Sequence, residues 1–126
     1  MADEASVIPW DVEEIPDVDR LFKRIHRNLF KSDRTVMTGA FSHYEMSVDW
    51  SKYSTPEESR RRANSPDDNA IVEMVAFNVR AIPDQQVLHR PVADNRSHSA
   101  VDGRKSEKVR VLLRRCCRIA LSLSAE

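Results

Sequence analysis

Alternation of hydrophobic and polar positions marks two early segments of the chain as strands. Leu21 and Ile25 lie on one side of the short segment 20–27. In residues 44–50 the hydrophobic positions alternate with the polar ones: Tyr44, Met46 and Val48 with Glu45, Ser47 and Asp49. Because successive side chains of a strand point to opposite faces, this period of two is typical of a half-buried strand. Both segments are predicted to be strands, with a polar loop at 28–39 between them.

A helix N-terminus is indicated by the segment Ser54-Thr55-Pro56-Glu57-Glu58. A hydroxyl side chain can cap the first turn, and proline fits the first helical position because its missing N–H has no partner there anyway. The two acids favour the positive end of the helix dipole. We predict a short helix that runs to about Ala63 and stops before Ser65-Pro66.

The longest apolar run, 70–82, is predicted to be a strand because it is rich in β-branched residues, with a helix as the alternative. Pro83-Asp84 ends this run, and 85–89 is predicted to return as its hairpin partner. Residues 91–103 are polar and are predicted to be irregular.

The last third of the chain predicts a helix from a cap at Ser106 to about Ser122. Its apolar positions fall at helical spacing: Val109, Leu112, Leu113, Cys116 and Ala120. Arg110, Arg114 and Arg118 are four apart and form a basic face. Cys116 and Cys117 are adjacent, which makes a bond between them difficult on a helix, so both are predicted to be free thiols on the buried side.

These elements predict the α+β class: a small, mostly antiparallel sheet with a short middle helix and a longer C-terminal helix. A chain of 126 residues fits one domain. Residues 1–19 are predicted to form an extended acidic N-terminal segment, and 20–126 a single α+β domain. The hydrophobic fraction of 40% is too high for a wholly disordered chain. There is no apolar run long enough to span a bilayer and no basic leader, so a cytoplasmic location without membrane contact is predicted.

The formal net charge of zero conceals two oppositely charged segments. Residues 1–20 carry seven acids against one arginine, and 104–118 carry seven cations against one glutamate. Either the two segments pair with each other, or the basic one is available to an anionic partner.

Several functional classes are excluded by missing motifs. Gly39 and Gly103 are the two glycines of the chain, too few for a dinucleotide fingerprint or a phosphate-binding loop. The sequence also lacks the metalloprotease, serine-hydrolase and paired-cysteine motifs. No cofactor and no metal site are predicted.

The segment 89–105 gathers the strongest candidates for chemistry. Imidazole can move protons near neutral pH, so the catalytic candidates are His98 and His89, with Asn95 to orient them. Cations that could hold a phosphate or a partner are Arg24, Arg104, Lys105, Arg110, Arg114 and Arg118. The alternative interpretation is structural: His98 and Asn95 hydrogen-bond the backbone of an ordered loop, and the cations are solvated.

The order of several short motifs resembles a group of small uncharacterised bacterial proteins. These motifs are Leu21-Phe22-Lys23-Arg24-Ile25, Ala40-Phe41, Ser47-Val48-Asp49, His89-Arg90-Pro91, and Asn95, His98, Val101, Gly103 and Lys105. The resemblance covers about residues 20–115 and implies no particular activity. An arginine-bearing first strand followed by a serine-bearing second strand is also similar to ADP-ribosyltransferase-like and RES-type toxins. Those families use a glutamate in glycine-rich surroundings, a pattern that this sequence does not display.

Two functional hypotheses follow. The first is a binding or accessory module for a protein or nucleic-acid partner that uses the basic C-terminal helix or the loop before it. The second is a small enzyme that acts on a phosphate-bearing substrate, a nucleotide or RNA, through His98 and neighbouring Arg and Lys residues. Convergence of His26, His89 and His98 on Arg24 in one pocket would favour the enzyme. The oligomeric state is left open.

Overall fold

The computed structural model describes residues 7–123, which form one antiparallel sheet and three α-helices. The strands are β1 Arg20–His26, β2 Glu45–Trp50, β3 Asn69–Val75, β4 Gln86–His89, β5 His98–Asp102 and β6 Arg118–Leu121. Their order across the sheet is β4-β5-β2-β1-β3-β6. The helices are α1 Pro56–Arg61, α2 Ala76–Arg80 and α3 Glu107–Cys116. The predicted α+β class, with a short middle helix and a longer C-terminal one, is confirmed.

The apolar core lies between one face of the sheet and helix α3. The strands contribute the side chains that alternate inward, among them Leu21, Ile25, Met46, Val48, Trp50, Val72 and Met74, all buried. Val109 and Leu113 of α3, four residues apart and therefore on one side of the helix, are buried in the same cluster. This face of the sheet is accordingly closed.

The opposite face of the sheet carries a group of polar side chains that includes Ser47, Asp49 and His98. The strand registers place Asp49 of β2 opposite His98 of β5 on one side and opposite Phe22 of β1 on the other. Helix α1 packs over β1 and β3 on this face. Its start is as predicted, because Thr55 and Glu58 form a reciprocal capping box with Pro56 at the first position.

The predicted strand 70–82 is wrong in its second half. β3 stops at Val75, where its ladder with β1 ends at Arg20, and the chain turns into α2. The carbonyls of Asp17 and Asp19 accept the N–H groups of Phe77 and Ala76, which would otherwise have no partner at the helix start. The strand preference of the β-branched residues is thereby overridden.

The predicted hairpin partner of that run is also wrong. β4 is a strand, but it pairs with β5 at the far edge of the sheet, well away from β3. β5 itself lies in the segment predicted to be irregular. Its inward positions Ser99 and Val101 are fully buried between β4 and β2, so pairing on both sides decides its conformation rather than residue preference.

The C-terminal helix is shorter than predicted. α3 ends at Cys116, Cys117 is extended, and residues 118–121 pair with the outer edge of β3 as β6. This pairing satisfies backbone groups that β3 would otherwise expose. Arg118 therefore leaves the predicted helical stripe and lies on a strand. The two cysteines are free and partly buried.

The acidic N-terminal segment packs on the domain through cations outside 104–118. Asp17 pairs with Arg80 at 2.7 Å, and Glu13 pairs with Lys52 at 2.6 Å. Ile15 is buried in the core, and Arg96 lies over the ring of Trp10. Within residues 7–123 the first of the two alternatives, pairing of the acidic segment with the basic one, is not formed, since the acids pair with cations elsewhere.

No helix in the described part of the chain is long and apolar enough to cross a membrane.

Candidate functional site

A buried carboxylate organises the polar face of the sheet. Asp49 is 4% exposed, and four side chains donate hydrogen bonds to its two oxygens. The donors come from α1, from the residue after it and from the loop before β5: Ser59 at 2.7 Å, Arg62 at 3.2 Å, Asn95 at 3.0 Å and Ser97 at 3.2 Å. Asp49 thus joins three separate segments of the chain.

The pKa of Asp49 lies below its ordinary value. Burial alone would raise it, but the hydrogen bonds from Ser59 and Asn95 and the charges of Arg62 and Arg24 outweigh that effect. Asp49 is therefore a fixed negative charge whose lone pairs are occupied, which suits it to hold its neighbours in place rather than to exchange protons.

A small pocket of about 50 Å³ opens beside Asp49 and contains a serine–histidine pair. Its lining is Phe22, Arg24, Ser47, Val48, Asp49 and His98. His98 Nδ1 lies 2.8 Å from the carbonyl oxygen of Arg90, and Nε2 lies 3.3 Å from Ser47 Oγ. A carbonyl only accepts, so the Nδ1 proton is donated to it, and in the neutral ring Nε2 is free to accept from the serine hydroxyl.

Arg24 connects this pocket to a second, wider one. The neighbouring pocket of about 330 Å³ is lined by Arg24 and His26 from β1 and by residues of the turn after α1. One guanidinium nitrogen of Arg24 donates to the carbonyl oxygen of Ser59 at 3.2 Å and lies 3.7 Å from a carboxylate oxygen of Asp49. Nε and the second terminal nitrogen have no hydrogen-bond partner within residues 7–123, so the cation has donors to offer.

His89 lies away from these pockets, on the core face of the sheet. Its Nδ1 accepts from the backbone N–H of Glu13 at 3.0 Å, so its Nε2 carries the proton and donates to the carbonyl oxygen of Arg96 at 2.7 Å. The ring packs against Trp50 and is 3% exposed. The convergence expected for an enzyme is therefore incomplete: His98 and His26 adjoin Arg24, while His89 anchors the N-terminal segment.

Three further predicted site residues are engaged within the fold. Asn95 donates to Asp49 and accepts from Ser97, so it shapes the loop rather than orienting His98. The ammonium of Lys105 is bound to three backbone carbonyls, those of Tyr44, Val101 and Gly103, at 2.7–3.0 Å. Arg110 donates to the carbonyl oxygen of Lys105. Arg104 is exposed, in a groove that also contains the carboxylates of Asp84 and Asp102.

A basic groove of about 540 Å³ lies at the end of α3. Its lining includes the apolar side chains of Val36, Val72 and Ile119 and five cations: Lys31, Arg34, Arg114, Arg115 and Arg118. None of these five forms an ion pair with a carboxylate of residues 7–123. We call this feature the basic groove.

A tight loop holds two of those cations beside the helix end. Phe30 and Val36 form an isolated antiparallel bridge, and Arg34 takes a left-handed turn conformation with φ 69°. Asp33, the acid of this loop, accepts from both the backbone and the hydroxyl of Thr35, and these bonds, the hydroxyl's foremost, lower its pKa. One oxygen of this carboxylate is thus occupied within the turn, and the nearby charge of Lys31 lowers its pKa further.

Sequence reasoning named Arg114 and Arg118 as binding residues and counted Arg115 in the basic segment, but it missed Lys31 and Arg34. Lys31 and Arg34 lie in a segment predicted only as a polar loop, and nothing in their spacing places them beside α3. Ser47 was placed on the polar side of its strand. Its pairing with His98 depends on β5, which was not predicted to be a strand.

Within residues 7–123 no group of three or more His, Cys, Asp or Glu side chains is placed to hold a metal ion. Comparison with known proteins adds no relative to this picture: no family model, no curated protein and no solved structure matches the chain.

Proposed function

We propose that this protein is a nucleic-acid-binding module and that the basic groove holds the phosphate backbone of its partner. The observation that carries the proposal is the set of five cations around one groove, without an ion pair to any described carboxylate. Cations paired within the fold would have to break those contacts before they could bind phosphate. Lys31, Arg34, Arg115 and Arg118 form no side-chain hydrogen bond or ion pair within residues 7–123, and Arg114 forms a single long hydrogen bond, to the carbonyl oxygen of Val36 at 3.4 Å.

The shape of the basic groove favours a backbone over a compact ligand. Its cations come from two separate segments, the loop at 31–34 and the end of α3 with β6, so they flank the groove on both sides. A chain of phosphates can contact both sides in succession, whereas a single phosphate can reach only one. The described residues that line the groove include no aromatic side chain, so we expect no base stacking from them and binding that is insensitive to sequence.

Salt dependence provides the test, with fluorescence anisotropy of labelled single-stranded RNA and of duplex DNA as the readout. If all five cations neutralise phosphates, the logarithm of affinity should fall against the logarithm of salt concentration with slopes of about −3.5 for the single strand and about −4.5 for the duplex. The double variant Arg115→Glu and Arg118→Glu removes two exposed cations and should reduce the single-strand slope by about 1.4.

Lys108→Glu is the matched control, because Lys108 is an exposed cation on the same helix outside the basic groove. Its salt slope should equal that of the wild-type protein. Two results would overturn the proposal: no binding to either nucleic acid at low salt, or equal losses in the control and the double variant.

A further inference from the structure

Ser47 and His98 have the geometry of an activated nucleophile and its base. The serine oxygen is 3.3 Å from Nε2, and Nδ1 is fixed at 2.8 Å from the Arg90 carbonyl oxygen, which sets the tautomer that can accept the serine proton. A nucleophile, a base within reach and a third group that orients the base are the parts that hydroxyl-based covalent catalysis needs. Ser47 is exposed, so a substrate can reach its oxygen.

The surroundings of the pair favour a phosphoryl group as the electrophile. The pocket of about 50 Å³ has room for roughly four water-sized groups, about the size of one phosphoryl group. Arg24 lines it and has guanidinium donors without a partner in the described chain, as required to neutralise charge on phosphoryl oxygens. The charge of Asp49 is met by ion pairs with Arg62 at 3.2 Å and Arg24 at 3.7 Å. Ser59, Asn95 and Ser97 also donate hydrogen bonds to it, so it does not repel a phosphate unopposed.

The wider neighbouring pocket gives the rest of a substrate a place. Arg24 lines both cavities, so a phosphate held by it would point its ester group toward the 330 Å³ pocket. That pocket is polar, with His26, Asn64 and Asn69 among its lining residues. Hydrogen-bonding side chains of this kind suit a sugar or a base better than an alkyl chain.

We propose that Ser47 is a nucleophile, with His98 as its general base, that attacks the phosphorus of a nucleotide-like phosphate ester. The Oγ–P bond forms and the ester P–O bond breaks. The hydroxyl proton passes to His98 Nε2 and then to the departing alkoxide. Water, deprotonated by His98, then attacks the phosphorus, the Oγ–P bond breaks, and the proton returns from His98 to Ser47 Oγ as phosphate leaves. Arg24 binds the phosphoryl oxygens throughout. This site lies on the opposite face of the sheet from the core and is independent of the basic groove.

A fluorophosphonate probe tests the nucleophile directly. Attack by Ser47 forms the Oγ–P bond, expels fluoride and transfers the proton to His98, and mass spectrometry locates the adduct. We expect labelling at Ser47, its complete loss in Ser47→Ala, and a rate reduced by about 10²–10⁴-fold in His98→Gln. Ser42→Ala, which removes another exposed serine, should leave labelling unchanged.

Inorganic phosphate then tests the substrate class. It should protect Ser47 from the probe in the wild-type protein and fail to do so in Arg24→Gln. Labelling that phosphate does not slow would overturn the phosphoryl assignment, and absent labelling, or equal rates with and without the His98 imidazole, would overturn the nucleophile. Circular dichroism melts verify that each variant is folded. Because Ser47 is exposed, Ser47→Ala should fold even if His98→Gln does not, and the site of labelling then still decides.

Discussion

The carboxylate of Asp49 on β2 accepts a 2.7 Å hydrogen bond from the hydroxyl of Ser59 on α1, and both residues are buried. The substitution Asp49→Asn keeps the shape of the side chain and removes its charge. Arg62 would lose its ion-pair partner, and the new amide N–H₂ would face groups that are themselves hydrogen-bond donors. We expect Asp49→Asn to lower the free energy of unfolding by about 3–5 kcal/mol, as for other broken buried pairs. Urea denaturation measures this.

The same carboxylate should contribute to acid sensitivity. Its pKa is lower in the folded protein than in the unfolded chain, so the stabilisation is complete above the unfolded value and is lost as pH falls through the folded value. Between pH 7 and pH 2 the wild-type protein should therefore lose more stability than Asp49→Asn. The exposed Asp94 provides the control, since Asp94→Asn should keep the wild-type profile. Parallel profiles for all three proteins would contradict the assignment.

Lys23 should destabilise the protein at neutral pH. Burial lowers the pKa of its ammonium to about 8, with Arg24 adding to the effect, and no ion pair to a described carboxylate compensates. Between pH 8 and pH 10 the unfolded chain therefore binds more protons than the folded protein, and stability should rise with pH in that window. Lys23→Met should gain about 1–2 kcal/mol at pH 7 and flatten the rise. An unchanged slope in the variant would assign the rise to another group.

The two glycines should respond oppositely to alanine. Gly103 has φ +145°, and a Cβ there would lie 1.9 Å from the carbonyl oxygen of Asp84. Gly39 has nothing within 4 Å of the same position and no unusual φ. Gly103→Ala should cost about 2 kcal/mol or more, while Gly39→Ala should be neutral or stabilising by up to ~1 kcal/mol. Thermal melts compare the two, and equal melting temperatures would contradict the backbone geometry at 103.

The cysteines should be reduced but slow to react in the folded protein. Burial, together with the neighbouring Cys116, raises the pKa of Cys117 to about 12, and burial also raises that of Cys116. The thiolate is the reactive form, so alkylation near neutral pH should be strongly suppressed until the chain is unfolded. A thiol titration in denaturant without reductant should find two groups. Finding none would show a disulfide instead.

Elements that are stabilised by residues close together in the sequence could be predicted from the sequence. The capping box at Thr55 and Glu58 satisfies backbone donors within one turn, and the alternation in 44–50 needs only a sheet with one buried face. Elements whose bounds depend on residues far away in the sequence could not be predicted in this way. The end of β3 at Val75 follows from where β1 begins, and β6 exists because the edge of β3 offers it a partner.

The candidate sites, too, could be predicted only as far as single residues reveal their chemistry. His98 and Arg24 were identified singly, because their chemistry is visible in the sequence. Their shared pocket requires β5, β2 and β1 to lie side by side, which is a property of sheet order. The basic groove likewise joins residue 31 to residue 118 through packing, and no spacing in the sequence indicates that contact.

The position of β1 inside the sheet has a consequence for synthesis of the chain. β1 precedes its two partner strands in the described chain, and it can pair with β2 as soon as residue 50 is available. Its other edge stays unpaired until residues 69–75 have been synthesised, which takes roughly 1–5 s more at about 5–20 residues per second. During that interval the edge of β1 beside Leu21 and Ile25 is unpaired, so it can pair incorrectly with another strand until β3 has formed.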